Sequence, residues 1–180
     1  MKEMVILVDE NDQEQGLMEK LEAHQKGLLH RAFSVFIFDN KGRMLLQQRA
    51  EGKYHGGLLW TNACCSHPLP GENVEAAARR RLREEMGFIT DLEKVFAFTY
   101  RAEVENQLVE HEYDHVFAGV YEGEMKPDPK EVADTRYYEM ESIRTKLEKE
   151  PELFTTWFRI AFSQVEKFWR EKYGAEEMKW

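Results

Sequence analysis

The chain has 180 residues, a mass of 21.3 kDa and a formal net charge of −9. That length suits a single domain over residues 1–180 with a core of its own, and no apolar run approaches the ~18 residues of a membrane span. The acidic balance, without a basic stripe, speaks against nucleic acid as a general partner.

The cysteines are Cys64 and Cys65, adjacent in sequence. Neighbours cannot staple a fold, so a disulfide framework is excluded, and retained thiols fit a reducing compartment. An apolar run over 4–8 predicts a first strand; it is too short for a signal peptide and ends in acids, as in an intracellular, cytoplasmic protein. Residues 12–25 predict a helix or long loop through Leu17, Leu21 and His24. Alternation over 31–39 predicts a strand, Asp39-Asn40-Lys41-Gly42 a hairpin turn, and 44–48 the returning strand. A loop of basic character covers 52–57. Asn73 is placed to cap a helix over 74–86, with Glu75 in its first turn and Gly87 at its end. Residues 95–103 and 108–121 predict paired strands, and Pro127 and Pro129 a break. A strand over 135–139, a helix over 140–149 and a long helix over 155–173 complete the chain. Strands and helices mix without strict alternation, which predicts an α/β sandwich around a mixed sheet.

The most informative stretch begins Thr61-Asn62-Ala63-Cys64-Cys65-Ser66-His67-Pro68 and ends Arg80-Arg81-Leu82-Arg83-Glu84-Glu85-Met86-Gly87-Phe88. Its second half resembles the Nudix box, Gly-x5-Glu-x7-Arg-Glu-aliphatic-x-Glu-Glu-x-Gly. The register holds at Glu72, Arg80, Leu82, Glu84, Glu85 and Gly87, while Ser66 stands for the leading Gly and Arg81 for the first Glu of the acidic trio. A magnesium cluster that cuts pyrophosphate needs several carboxylates on one helix face, and Arg81 brings a positive charge there instead. Such a helix should meet a diphosphate and be poorly equipped to cut it. On a period of about 3.6, Val74, Ala77, Ala78, Arg81, Glu85 and Phe88 share a face, so Arg81 and Glu85 continue an apolar stripe and need partners. Arg79, Arg80 and Arg83 point elsewhere.

Cys65-Ser66-His67 reads either as a packed cysteine at a polar turn or as a thiol acting as acid or base, its pKa lowered by a metal or cation. Glu110 and Glu112 share one side of a strand, with His111 and His115 on the other. Two such acids are either the solvated side or, facing inward, a pair that needs a cation between them. Were His24, His30 and His67 to converge on them, the set would suit a borderline divalent metal.

His24 with Leu29-His30-Arg31-Ala32-Phe33-Ser34, Trp60 through Pro68, Tyr100-Arg101-Ala102 and Glu110-x-Glu112 together resemble the type I isopentenyl-diphosphate isomerases. The resemblance covers nearly the whole chain, most strongly 20–112. It implies a Nudix-like α/β/α sandwich with a mixed β-sheet, and interconversion of isopentenyl and dimethylallyl diphosphate through a tertiary carbocation. It implies a tightly held zinc or manganese ion on His24, His30, His67, Glu110 and Glu112. A magnesium ion would bridge the diphosphate to Glu85, helped by the Cys65 carbonyl. Lys20, Arg49, Lys53 and Arg81 match diphosphate-binding positions. Cys65 and Glu112 with Tyr100 match the proton-handling groups, and Trp157 the aromatic that faces the cation. His55, His111 and His115 match no functional position. The implied partner is a small prenyl diphosphate. Competing readings are a Nudix hydrolase of a nucleoside diphosphate derivative, which Glu84 and Glu85 would serve, and a Nudix-fold domain that binds without turnover.

Overall fold

The computed structural model describes residues 2–53 and 55–177. Among these, nine strands form one mixed sheet with helices on both faces. The strands are β1 (Met4–Val8), β2 (Glu14–Glu19), β3 (His30–Phe38), β4 (Met44–Arg49), β5 (Trp60–Thr61), β6 (Cys64–Ser66), β7 (Glu93–Glu103), β8 (Val109–Val120) and β9 (Val132–Tyr138). The helices are α1 (Lys20–Lys26), α2 (Val74–Met86), α3 (Met140–Lys149) and α4 (Thr156–Glu177).

β3 organises the sheet. It runs parallel to β8 along its whole length, from His30 opposite Glu112 to Phe38 opposite Val120. Its other edge is shared by β1 at His30, β6 at Phe33 to Val35, and β4 at Phe38, all antiparallel. β7 lies antiparallel on the far side of β8, with Tyr100 opposite Glu112. Side chains alternate across a strand, so β3 feeds two cores. Phe33, Val35 and Ile37 meet Ala77, Ala78, Leu82 and Met86 of α2. Phe36 and Phe38 meet Ile143 of α3 and Phe158, Ala161 and Val165 of α4. Leu82 is fully buried, and replacing such a leucine by alanine costs ~2–5 kcal/mol.

The α2 caps follow their residues. Asn73 accepts hydrogen bonds from the Glu75 and Ala76 amides, and Gly87 ends the helix at φ 73° while donating to Arg83 O. A Cβ at Gly87 would stand 2.5 Å from Lys126 O, so a larger residue there would displace the following chain. The inward stripe is broader than the expected one: Leu82 and Met86 join Ala77, Ala78 and Glu85, while Phe88 lies beyond the cap.

Residues 12–25 depart from expectation. β2 pairs with β1, Gly16 sits at a register shift with φ 145°, and helix begins only at Lys20, where Glu19 caps it. β2 is an exposed edge strand, so it lacks the apolar alternation that marks a strand in sequence. The short strands β5 and β6 also carried no such signal. The basic loop at 52–57 includes Tyr54, which lies outside the described residues, as does Met1 of the N-terminal reading.

Candidate active site

The β3/β8 register brings the first two site residues together. His30 and Glu112 face each other on the α4 side of the sheet, Nε2 to Oε2 at 3.2 Å. The turn before α2 brings His67 Nε2 to the same oxygen at 2.7 Å. α1 supplies His24, whose Nε2 lies 3.3 Å from Glu110 Oε2. The His30 ring centre lies 4.8 Å from that of His24 and 4.9 Å from that of His67. His24 Nδ1–H donates to Lys20 O at 2.6 Å and His30 Nδ1–H to Leu28 O at 2.9 Å. A carbonyl only accepts, so in the neutral rings both Nε2 atoms turn lone pairs toward the carboxylates.

Acceptor facing acceptor in a buried site is repulsive unless a proton or cation lies between them. Ligand atoms of His24, His30, His67 and Glu112 lie within 4.8 Å of one another, and so do those of His24, His55 and Glu110. Among the described residues, none donates a hydrogen bond to the buried Glu110 Oε2. Imidazoles and carboxylates converging in this way can hold a divalent cation.

Cys65, on β6 beside Ser34 of β3, borders the same cavity. Its Sγ accepts a hydrogen bond from Trp157 Nε1 at 2.9 Å and donates to Asn62 Oδ1 at 3.1 Å. Ser34 Oγ lies 3.5 Å from the sulfur and donates to Asp114 Oδ2 at 2.8 Å. Cys65, Trp157, Glu110, Glu112 and His67 line one cavity of about 260 Å³. Lys20, Arg49, Lys53, Arg81 and Glu85 line it as well.

The comparisons with known proteins are consistent with this geometry. A family profile described as NUDIX domain matches residues 28–158. An isopentenyl-diphosphate Delta-isomerase of Serratia proteamaculans is 50% identical over 178 residues, covering 99% of this chain and 95% of that protein. The one of Pectobacterium atrosepticum is 49% identical over 166 residues, covering 92% and 93%. The chain belongs to the isopentenyl-diphosphate Delta-isomerase family, built on a NUDIX domain. A MutT protein from Methanosarcina mazei shares the fold, with a TM-score of 0.64 at 20% identity over 81% of this chain and 96% of that one.

For an isomerase of this family, the charges around the cavity decide what the groups can do. Burial alone would raise the Glu112 pKa, but the imidazoles of His30 and His67 hold it well below the usual carboxylate range. Burial and the neighbouring Glu112 raise Glu110, and His24 and His55 outweigh them. Tyr100 donates its hydroxyl proton to Glu112 Oε1, and burial and that carboxylate push the phenol well above its ordinary value. Burial also favours the neutral form of His24, yet Glu110 raises its pKa.

In the metal-free chain the Cys65 thiol is pushed up, by burial first and then by the charge of Asp114. The cationic side chains are all partnered by acids or aromatics. Arg81 bonds Glu84 at 2.7 Å and Glu85 at 2.8 Å, and lies 3.5 Å from Glu131, which also binds Lys53. Lys20 pairs with Glu3 at 3.2 Å, and the Arg49 guanidinium lies 5.2 Å from the centre of the Trp157 ring. Glu85 stands apart from the histidine cluster, bonded to Arg81 and 3.4 Å from Gln47 Nε2. Arg80, expected to point away, also lines the cavity while bound to Glu72.

His55 and Asp114 were missed. Asp114 extends the alternation that groups Glu110 with Glu112, so that signal was present in the sequence. His55 had no comparable signal, because a loop set its position. His111 and His115 lie off the cluster, on Gly27 O and Asp12 at 2.9 Å each.

Proposed function

We propose that the chain works as one cytoplasmic isomerase domain. In this reading it interconverts isopentenyl and dimethylallyl diphosphate by protonating a double bond and removing a proton from a neighbouring carbon. The observation that carries the reading is that Cys65 and Glu112 line a cavity shared with Lys20, Arg49, Lys53 and Arg81. Two proton-handling groups and a diphosphate-binding set thus meet the same small volume. No helix among the described residues is long and apolar enough to cross a membrane.

His24, His30, His67, Glu110 and Glu112 would hold a zinc or manganese ion, and Glu85 a magnesium ion shared with the diphosphate. These ions would supply Lewis acidity near Glu112 and neutralise phosphate charge. Lys20, Arg49, Lys53 and Arg81 orient the diphosphate, exchanging carboxylate partners such as Glu131 for phosphate oxygens. Glu112 with Tyr100, and Cys65, give and take the two protons, and reversibility requires each to do both. The Trp157 indole faces the tertiary cation; a desolvated contact of this kind contributes ~2 kcal/mol, roughly 30-fold in rate. Phe33, Leu69 and Trp157 are the apolar part of a mostly charged lining and would shield the cation from water that would quench it. Arg81 also argues against hydrolysis, because it pairs with both remaining acids of the acidic trio, Glu84 and Glu85.

The test is incubation with isopentenyl diphosphate and magnesium in deuterated water, followed by proton NMR. Dimethylallyl diphosphate carrying deuterium is expected, and Cys65→Ala and Glu112→Gln should abolish it. Release of phosphate from nucleotides, without isomerisation by metal-loaded protein, would overturn the reading.

A further inference from the structure

His55 lies on the loop between β4 and β5, with its side chain buried beside the cluster. Its Nε2 stands 2.6 Å from Glu110 Oε1, while the other oxygen of Glu110 faces His24. The two oxygens of one carboxylate are thus given to two imidazoles, one on a helix and one on a loop. The His55 ring packs edge-on against Trp157, and its backbone carbonyl accepts a hydrogen bond from Arg49 Nη2 at 3.1 Å. Lys53 belongs to the same loop. Two glycines shape the turn after His55. Gly56 has φ 66°, and a Cβ on Gly57 would come 2.7 Å from Glu51 O.

A carboxylate that must close on a metal loses side-chain freedom, and a partner on its second oxygen removes part of that cost beforehand. We propose that His55 is a positioning residue for the metal centre. Its Nε2–H holds Glu110 through Oε1, leaves Oε2 for the cation beside His24, and ties metal loading to order in the loop that carries Lys53. The inference rests on the reading of the histidine and glutamate cluster as a metal centre.

The experiment measures zinc affinity by competition with a chromophoric chelator, and pyrophosphate binding by calorimetry on the zinc-loaded protein. The parent chain is compared with His55→Ala and with His55→Gln, whose amide can still donate to Glu110. Circular dichroism confirms that each variant is folded. His55→Ala should bind zinc roughly 10- to 100-fold more weakly, the usual cost of losing a group that orients a ligand. Pyrophosphate binding should weaken with it, and His55→Gln should recover most of the zinc affinity. Unchanged zinc affinity in folded His55→Ala overturns the proposal. So does a His55→Gln variant as weak as alanine that has lost one nitrogen scatterer by X-ray absorption, which makes His55 a ligand itself. A parent chain that binds no divalent ion overturns the metal-centre reading and this inference with it, an outcome distinct from the others.

Discussion

Trp157 donates its indole N–H to the sulfur of Cys65 at 2.9 Å, so one side chain both orients the thiol and offers a ring to the cavity. The two tasks can be separated. Trp157→Phe keeps an aromatic face and loses the donor, at a cost of about 1–1.5 kcal/mol, or roughly 10-fold in kcat. Trp157→Ala loses both and should be slower still. Equal turnover numbers for the two variants would mean that the ring face contributes nothing.

Arg81 binds Glu84 and Glu85 and reaches Glu131. In the proposed reading its removal takes away a diphosphate ligand, and it leaves buried Glu85 without its guanidinium partner. A charged hydrogen bond contributes about 1.5–3 kcal/mol, so Arg81→Gln should lower kcat/KM by roughly 10- to 150-fold. Most of the loss should fall on KM. A normal KM with a collapsed kcat would instead place Arg81 with the proton-handling groups.

Removal of the metal should destabilise the protein, because the inward-facing lone pairs then oppose one another. A cation present at a thousandfold over its Kd contributes ~4 kcal/mol of stability. For a chain of this size that corresponds to a fall in Tm of roughly 10 °C on chelation. Calorimetry with and without dipicolinate measures it, and added zinc or manganese should restore the original Tm. An unchanged Tm would mean that the cluster is held by its protons alone.

The Cys65 thiol is raised by burial and by Asp114, so in the metal-free protein less of it is thiolate at any given pH than in a free cysteine. Iodoacetamide should therefore alkylate Cys65 slowly at pH values where free cysteine reacts readily. Burial and Glu112 raise the Asp114 carboxyl as well, so wherever Asp114 is ionised its removal lowers the thiol pKa, and Asp114→Asn should move the pH–rate curve to lower pH. The amide oxygen still accepts from Ser34, which keeps the local geometry. A curve that does not move would assign the whole effect to burial.

Much of this site was legible because its residues lie on regular elements. Period-2 alternation put Glu110 and Glu112 on one side of β8, and the Asn73 and Gly87 caps bounded α2. β2 was illegible because an exposed edge strand needs no apolar pattern and takes its structure from pairing with β1. His55 was illegible for a related reason. Its position comes from a loop folding back over Glu51, and no spacing in the sequence encodes that. The part of the thiol shift that burial does not supply comes mainly from Asp114, which is 49 positions from Cys65 in sequence yet joined to it through Ser34.

The paired cysteines are neighbours in sequence and strangers in space. β6 sends Cys64 into the core beneath α2 and Cys65 toward α4, with Val35 and Ser34 opposite them. Moving a thiol by one residue therefore carries it through the sheet. Cys64 cannot act as a spare for its neighbour, and an oxidised Cys65 has no resolving partner beside it. Repair of that sulfur would have to come from outside the molecule.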